Sequence, residues 1–145
     1  MEAVLLIGLQ ASGKTTFYRE RFFNTHVRVN LDMLKTRHRG MRLMQVCLET
    51  RQPFVVDNTN PTREERRRYI EAAKLAGFRV VGYYLQSRVE ECKTRNEGRL
   101  EPAKVPLLAL LGTYKRLELP SPDEGFDELY YVKIGEGGKF AVERW

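Results

Sequence analysis

The sequence predicts a three-layer α/β domain, in which a central parallel sheet of about five strands is covered by helices and carries a helical lid. Short apolar runs bounded by turn residues recur along the chain, and stretches with the apolar spacing of helices lie between them. Right-handed strand–helix–strand crossovers turn such alternation into a parallel sheet with helices on both faces. Because 145 residues provide one hydrophobic core, we expect a single domain over residues 1–145.

The predicted strands are five apolar runs that end at turn residues. The glycine-rich tail at 135–145 leaves two alternatives open, a hairpin or a loosely attached end. The runs are AVLLIGL at 3–9, HVRVNL at 26–31, PFVVDN at 53–58, FRVVGYYL at 78–85 and ELYYVKI at 128–134.

Capping residues mark the expected helix boundaries. Asn60 precedes a proline and two glutamates, which predicts a helix start with Asn60 as its cap. The run SRVE at 87–90 has the spacing of a capping box. Gly77 follows a helical pattern and predicts its end, because glycine adopts the left-handed cap conformation readily.

The composition favours a cytoplasmic protein that attracts polyanions. Lys and Arg number 25 against 19 acidic residues, a formal charge of +6. Cys47 and Cys92 lack the spacing of a metal site, so we expect two buried thiols in a reducing compartment. The N-terminal apolar run is too short to span a membrane and lacks the cationic flank of an export signal.

A phosphate-binding motif stands between the first predicted strand and a predicted helix. GLQASGKT at 8–15 fits G-x-x-x-x-G-K-[ST], the P-loop, and its position is the one that this motif requires. In such a loop the lysine, here Lys14, reaches the β- and γ-phosphates, and the hydroxyl of Thr15 binds Mg²⁺. No N-K-x-D or D-x-x-G motif of a GTPase is present, so we expect ATP as donor and a P-loop NTPase or kinase fold. The predicted nucleotide-binding residues are Gly8, Gln10, Ala11, Ser12, Gly13, Lys14, Thr15 and Thr16.

Two aspartates follow predicted strands at the edge of the sheet where ligands collect. Asp57 ends a buried strand, where it can hold Mg²⁺ through a water; the alternative is that it only bonds the neighbouring turn. Asp32 follows the second strand, where a carboxylate can accept the proton of an acceptor hydroxyl. Its alternative role is the N-cap of a helix over MLKTRHRG.

A lid is predicted at about 93–106. Arg95 and Arg99 are four residues apart, so they would project from one face if the helix continued. Gly98 and the prolines at 102 and 106 interrupt the helical pattern, as in a segment that bends. The two arginines could therefore close over the phosphates, or they could be a solvated basic helix end.

Four motifs together resemble the P-loop polynucleotide 5′-kinase family and the small predicted kinases grouped with it. They are GLQASGKTTF, VNLDMLK, VVDNTNP and RNEGR followed by VP, in one order over nearly the whole chain. The resemblance implies ATP- and Mg²⁺-dependent transfer of the γ-phosphate to a 5′-hydroxyl end of DNA or RNA. It implies Asp32 as general base, Lys14 at the donor phosphates, and Arg99 with Arg95 as lid arginines. Lys35 would replace a family arginine that grips a substrate phosphate.

The sequence departs from the family pattern at several points. Ala11 replaces a glycine often found in the loop, and Lys35 loses the two-pronged geometry of arginine. The segment between Asp32 and the third strand is short for the family. No D-x-D-G-T motif is present, so phosphatase activity is not expected of this chain.

The resemblance implies a nucleic acid 5′ end as acceptor, and the basic residues around Asp32 would attract its phosphodiester strand. We expect no membrane association and no obligate protein partner. A first alternative is a kinase for a sugar, nucleoside or antibiotic, which would not need these arginines. A second is a non-catalytic ATP-binding regulator, in which Asp32 is only a cap. The basic residues that would attract a strand are Arg28, Lys35, Arg37, Arg39 and Arg42, and the predicted acceptor-binding residues are Lys35, Arg37, Arg39 and Asn60.

Overall fold

A six-stranded sheet forms the centre of the fold in the computed structural model, which describes residues 1–145. The strand order is β2-β3-β1-β4-β5-β6, and all neighbouring pairs are parallel except β5 and β6. The strands are Glu2–Ile7 (β1), Val27–Val29 (β2), Phe54–Asp57 (β3), Arg79–Leu85 (β4), Glu128–Ile134 (β5) and Phe140–Arg144 (β6). The helices are Lys14–Arg21 (α1), Leu31–Leu34 (α2), Arg37–Thr50 (α3), Arg63–Leu75 (α4), Val89–Glu97 (α5) and Leu107–Arg116 (α6), with short 3₁₀ helices at Pro122–Glu124 and Glu136–Gly138.

Both faces of the sheet are covered, as the alternation of β1 side chains makes clear. Leu5 and Ile7 belong to a cluster of 17 buried residues that also contains side chains of α3 and α4. Val4 and Leu6 point to the other face, in a cluster of 9 buried residues that includes Phe17 of α1. The predicted three-layer α/β class is confirmed.

The predicted strands are all present, and the sheet has one more. The tail forms a hairpin, since β6 pairs antiparallel with β5 and the amide of Trp145 donates to the Leu129 carbonyl at 2.9 Å. Of the two alternatives for residues 135–145, the hairpin is therefore the observed one. β2 is the shortest strand, because Asn30 leaves it to cap α2.

Two of the predicted helix caps are wrong. Thr62 caps α4 by accepting from the Glu65 amide at 3.1 Å, while Asn60 has a φ of 45° and donates its side-chain amide to the Leu6 carbonyl. Ser87 makes no capping box, because Arg88 is the N-cap of α5 and the Ser87 oxygen accepts from the Leu9 amide instead. The predicted stop at Gly77 is confirmed by its φ of 78° just after α4.

The lid segment is a helix end followed by a loop. α5 ends at Glu97, so Arg95 lies on the helix and Arg99 lies beyond it. The helix does not continue to Arg99, so the two arginines do not share one helix face. Gly98, at the C-cap, is where the helix stops.

The cysteines and the lengths of the helices can be compared with what the sequence predicts. Cys47 and Cys92 are free and buried, and burial raises the pKa of both thiols. The longest helix, α3, has 14 residues, and no helix has the length and apolarity that crossing a membrane requires.

Candidate active site

The turn from β1 to α1 forms a tight loop at the carboxyl edge of the sheet. Ala11 and Gly13 adopt left-handed φ values of 63° and 101°. The φ of Gly13 favours glycine, and a Cβ there would also make tight contacts of 3.3 Å with side-chain atoms of Ile134 and Phe140. Ala11 accepts its conformation at a cost of about 1 kcal/mol, which explains how the loop tolerates this departure from glycine.

The start of α1 offers unpaired backbone donors. The amides of Gly13, Lys14, Thr15 and Thr16 donate no hydrogen bond within the chain. Unpaired amides and the positive end of the helix dipole together favour an anion at a helix N-terminus. The loop predicted from the motif can therefore bind a phosphate group.

Three distant elements hold this loop in place. Ser87, after β4, accepts a hydrogen bond from the Leu9 amide at 2.9 Å, and the Gly8 amide donates to the Thr59 carbonyl at 3.1 Å. The side chain of Gln10 donates to the Thr113 hydroxyl of α6 at 3.0 Å. Gln10 thus supports the loop with its side chain, a role the motif does not reveal.

Lys14 is buried against the loop that it follows. Its Nζ donates to the carbonyls of Gly8 and Leu9 at 3.0 and 2.7 Å. Burial is the main reason why the pKa of Lys14 falls from 10.5 to about 8. The ammonium is thus held by neutral carbonyls that phosphate oxygens could replace.

Charges from three other elements act on the Lys14 ammonium. After burial, Asp57 has the largest effect and raises the pKa of Lys14, while Arg99 lowers it and Asp32 raises it. These are the residues that the sequence predicts to share one site. Their charges lie within electrostatic range of Lys14.

Thr15 and Asp57 form the pair that could hold a metal ion. The Thr15 hydroxyl donates to Asp57 Oδ2 at 3.2 Å, and the Asp57 side chain is 1% exposed. The register of β1 and β3, which aligns Leu6 with Asp57, brings the two strand ends together. No cluster of three acidic, histidine or cysteine ligands exists. Magnesium suits this pair, because it binds through one or two protein oxygens, waters and substrate phosphates.

Arg28 also contacts this pair, which differs from the expectation that it attracts a strand from outside. Its Nε donates to Asp57 Oδ2 at 2.8 Å and its Nη2 to the Thr15 hydroxyl at 3.2 Å. The side chain is 25% exposed and faces inward because the buried carboxylate requires a cation. Arg28 therefore belongs to the interior of the site.

Two asparagines that sequence reasoning did not single out fix the position of α2. Asn30 caps α2 by accepting from the Met33 amide at 2.9 Å, and its side-chain amide donates to the Asp57 carbonyl. Asn58 accepts from the Leu31 amide at 2.9 Å. Both bonds tie α2 to the end of β3, so the helix is held beside the Thr15–Asp57 pair.

Asp32 lies in the first turn of α2 and is not its cap, so the alternative that it serves as an N-cap is wrong. Its carboxylate is exposed and accepts no hydrogen bond within the chain. The predicted helix over MLKTRHRG is broken at Lys35, which has a φ of 76°, and Thr36 caps α3. Asp32 is thus available to a hydroxyl from solvent.

The predicted acceptor-binding residues fall into two groups. Lys35, Arg37 and Arg39 are exposed around the junction of α2 and α3, although Arg37 lies 3.8 Å from Glu65 and Arg39 donates to a backbone carbonyl. Asn60 is only 3% exposed, and its amide nitrogen is 2.7 Å from the Leu6 carbonyl. Its prediction as an acceptor contact is wrong, because the side chain is consumed in joining β3 to β1.

The two lid arginines have different surroundings. Arg95 Nη1 donates to the Ala11 carbonyl at 2.6 Å, so this side chain rests on the phosphate-binding loop. Arg99 is half-buried and donates to the Ala103 carbonyl at 3.2 Å, within the loop that follows α5. Both lie near the loop, one in contact with it and the other through its charge on Lys14.

Known proteins resemble this chain in sequence or in fold. The bifunctional polynucleotide phosphatase/kinase of Schizosaccharomyces pombe is 31% identical over 135 residues, which cover 90% of this chain and 33% of that protein. The chain therefore spans about a third of the length of the curated relatives it matches. The resemblance predicted from the four motifs is confirmed.

Solved structures share the fold at lower identity. A sugar kinase from Janibacter sp. HTCC2649 has a TM-score of 0.68 and 17% identity, over 92% of this chain and 85% of that one. Kti12 of Chaetomium thermophilum, in complex with ADP-AlF3, has a TM-score of 0.66 and 18% identity, over 94% and 92%. A sequence model of the AAA domain matches residues 4–120. Since that match covers most of the chain, the protein belongs to this AAA domain family and has the P-loop kinase fold.

Proposed function

We propose that this protein is an ATP-dependent kinase that transfers the γ-phosphate of ATP to a 5′-hydroxyl end of DNA or RNA. One observation carries the proposal. Asn30 and Asn58 hold α2 at the end of β3, so the free carboxylate of Asp32 stands within electrostatic range of Lys14 and beside the Thr15–Asp57 pair. This position supports a hydroxyl acceptor bound next to the phosphate-binding loop.

The donor side would use groups that are already in place. Lys14 exchanges its bonds to the Gly8 and Leu9 carbonyls for the β- and γ-phosphates, and the free amides at the start of α1 bind the β-phosphate. The Thr15 hydroxyl and, through a water, Asp57 would hold Mg²⁺. The bound ion supplies positive charge to the phosphates.

The acceptor side would use Asp32 as general base. Its carboxylate accepts the proton of the 5′-hydroxyl while the oxygen bonds to the γ-phosphorus and the bond from that phosphorus to the bridging oxygen of ADP breaks. Arg99, with Arg95 held against Ala11, neutralises charge on the transferring group.

The choice of a nucleic acid acceptor rests on charge and on the curated relative. Exposed cations follow Asp32 in the chain, at the junction of α2 and α3 and on α3, where a phosphodiester strand would lie, and the net charge is +6. The S. pombe relative carries polynucleotide phosphatase/kinase in its name. Because this chain matches a third of that protein, the acceptor has to be tested directly.

The test is incubation with γ-labelled ATP, Mg²⁺ and a panel of 5′-hydroxyl oligonucleotides, nucleosides and sugars. We expect label on oligonucleotide 5′ ends, and none with Asp32→Asn, whose amide cannot accept the proton. Asn24→Ala, at an exposed residue without side-chain hydrogen bonds, serves as control. Label on a sugar or nucleoside alone would replace the acceptor in the proposal. Equal labelling by wild type and Asp32→Asn would remove Asp32 as the general base, and the absence of label on every acceptor would favour a non-catalytic ATP-binding protein.

A further inference from the structure

Arg28 makes the same contacts that a divalent cation would need. Its guanidinium lies against Asp57 Oδ2 at 2.8 Å and against the Thr15 hydroxyl at 3.2 Å. These two oxygens belong to the residues that would hold Mg²⁺ in the proposed function. No other basic side chain bonds to Asp57, since Lys14 is held by the loop carbonyls.

Electrostatics explains why an arginine is found here. Asp57 is buried, and a buried carboxylate is strongly unfavourable without a hydrogen-bonded positive partner. The guanidinium supplies that charge and also uses the hydroxyl oxygen of Thr15 as acceptor. A divalent cation bound through Thr15 would need the same oxygen and would place two further positive charges beside Arg28. The two cations are therefore in conflict at this pair.

We infer that Arg28 and the divalent cation are alternative occupants of the Thr15–Asp57 pair. This inference rests on the assignment of that pair as the metal site in the proposed function. A metal ion alone has to displace Arg28 with only two contacts to the protein, the Thr15 hydroxyl and, through a water, the Asp57 carboxylate, while other waters complete its shell. A metal ion that arrives with a nucleotide brings phosphate oxygens that compensate for the displacement. Arg28 thus couples metal binding to nucleotide binding.

The released side chain has a defined place to go. The Arg28 carbon Cζ lies 5.9 Å from the ring centre of Tyr18, and the side chain is partly exposed. A guanidinium that turns away from Asp57 can retain this aromatic contact while it meets a phosphate oxygen in the cleft.

Binding of Mn²⁺ without nucleotide, measured by the electron paramagnetic resonance of the free ion, tests this inference. Arg28→Gln removes the competing charge, and we expect it to bind Mn²⁺ on the order of tenfold more tightly than wild type, the loss of one charge-assisted interaction. Saturating ADP should reduce that difference. Asp57→Asn should abolish the binding that Arg28→Gln gains. Arg68→Gln is the matched control, because Arg68 is exposed and forms no ion pair or side-chain hydrogen bond.

Equal or weaker Mn²⁺ binding by Arg28→Gln would overturn the inference. It would mean that Arg28 stays bonded to Asp57 while the metal ion is bound. If circular dichroism shows that Arg28→Gln is unfolded, the wild-type protein decides the question. Its Arg28 Nε–H signal, identified with Arg28→Lys in ¹⁵N-arginine samples, should shift on saturation with Mg²⁺ and ADP, and an unchanged signal would refute displacement. A failure of phosphate transfer to oligonucleotides leaves these metal measurements intact, so the two proposals fail separately.

Discussion

Nucleotide affinity should depend on pH through Lys14. The pKa of this lysine is lowered to about 8 by burial, so roughly three-quarters of the free protein carries the charged form at pH 7.5 and about one-tenth at pH 9. Bound phosphates favour the charged form and raise the pKa again. Binding should therefore take up a proton above pH 8.

The magnitude follows from these two populations. The affinity for ATP should fall about eightfold from pH 7.5 to pH 9, with uptake of about 0.9 proton at the higher pH. Titration calorimetry in two buffers of different ionisation enthalpy measures both quantities. The interval lies above the pH at which ATP itself loses its last proton, so the change reports on the protein.

Lys14→Arg is the matched variant. Arginine stays charged throughout this interval, so any binding it retains should be independent of pH. A wild-type affinity that is flat between pH 7.5 and pH 9 would refute the argument, because the Lys14 ammonium would then be charged without help from the nucleotide. The same flatness would imply that its carbonyl contacts compensate fully for burial.

Three further results are expected. Arg99→Ala should lower kcat on the order of 10²-fold if its charge acts on the transferring phosphate, and normal turnover in single-turnover experiments would remove it from the site. Asn58→Ala should lower kcat about tenfold, because α2 loses the hydrogen bond from the Leu31 amide. The ATP affinity should stay within about twofold, since the phosphate-binding loop is unchanged. Asn24→Ala is the control. The KM for an oligonucleotide should rise steeply between low and physiological salt, whereas a KM insensitive to salt would favour a small-molecule acceptor.

The parts of the fold visible in the sequence are those encoded locally. β1 and β3 are continuous apolar runs because they are buried on both faces, and the P-loop has its glycines and Lys14 within eight residues. β6 is an edge strand with alternating exposure that follows a glycine-rich turn. Its few apolar residues could therefore not distinguish a strand from a loosely attached end. Its antiparallel pairing with β5 shows that it is a strand.

The parts that the sequence concealed are single hydrogen bonds between distant residues. Ser87 supports Leu9 across 78 positions, and Thr113 supports Gln10 across 103. Such a bond leaves no periodicity and no motif. Arg28 illustrates a second difficulty, because a three-residue strand is too short for alternation to show which side chain faces inward. The buried carboxylate of Asp57 draws the Arg28 side chain inward, and Asp57 is buried only once the sheet has formed.

The donor and acceptor sides of the proposed site differ in which groups form them. The donor side consists of backbone amides, buried loop contacts and strand ends, all positioned by the sheet that proteins of this fold share. The proposed acceptor side consists of exposed side chains on α2 and α3, which can change without disturbing a buried contact. Reversing the charge of Arg39 should therefore raise the KM for an oligonucleotide and leave ATP affinity unchanged. Equal loss of both affinities would show that the two sides are not separable.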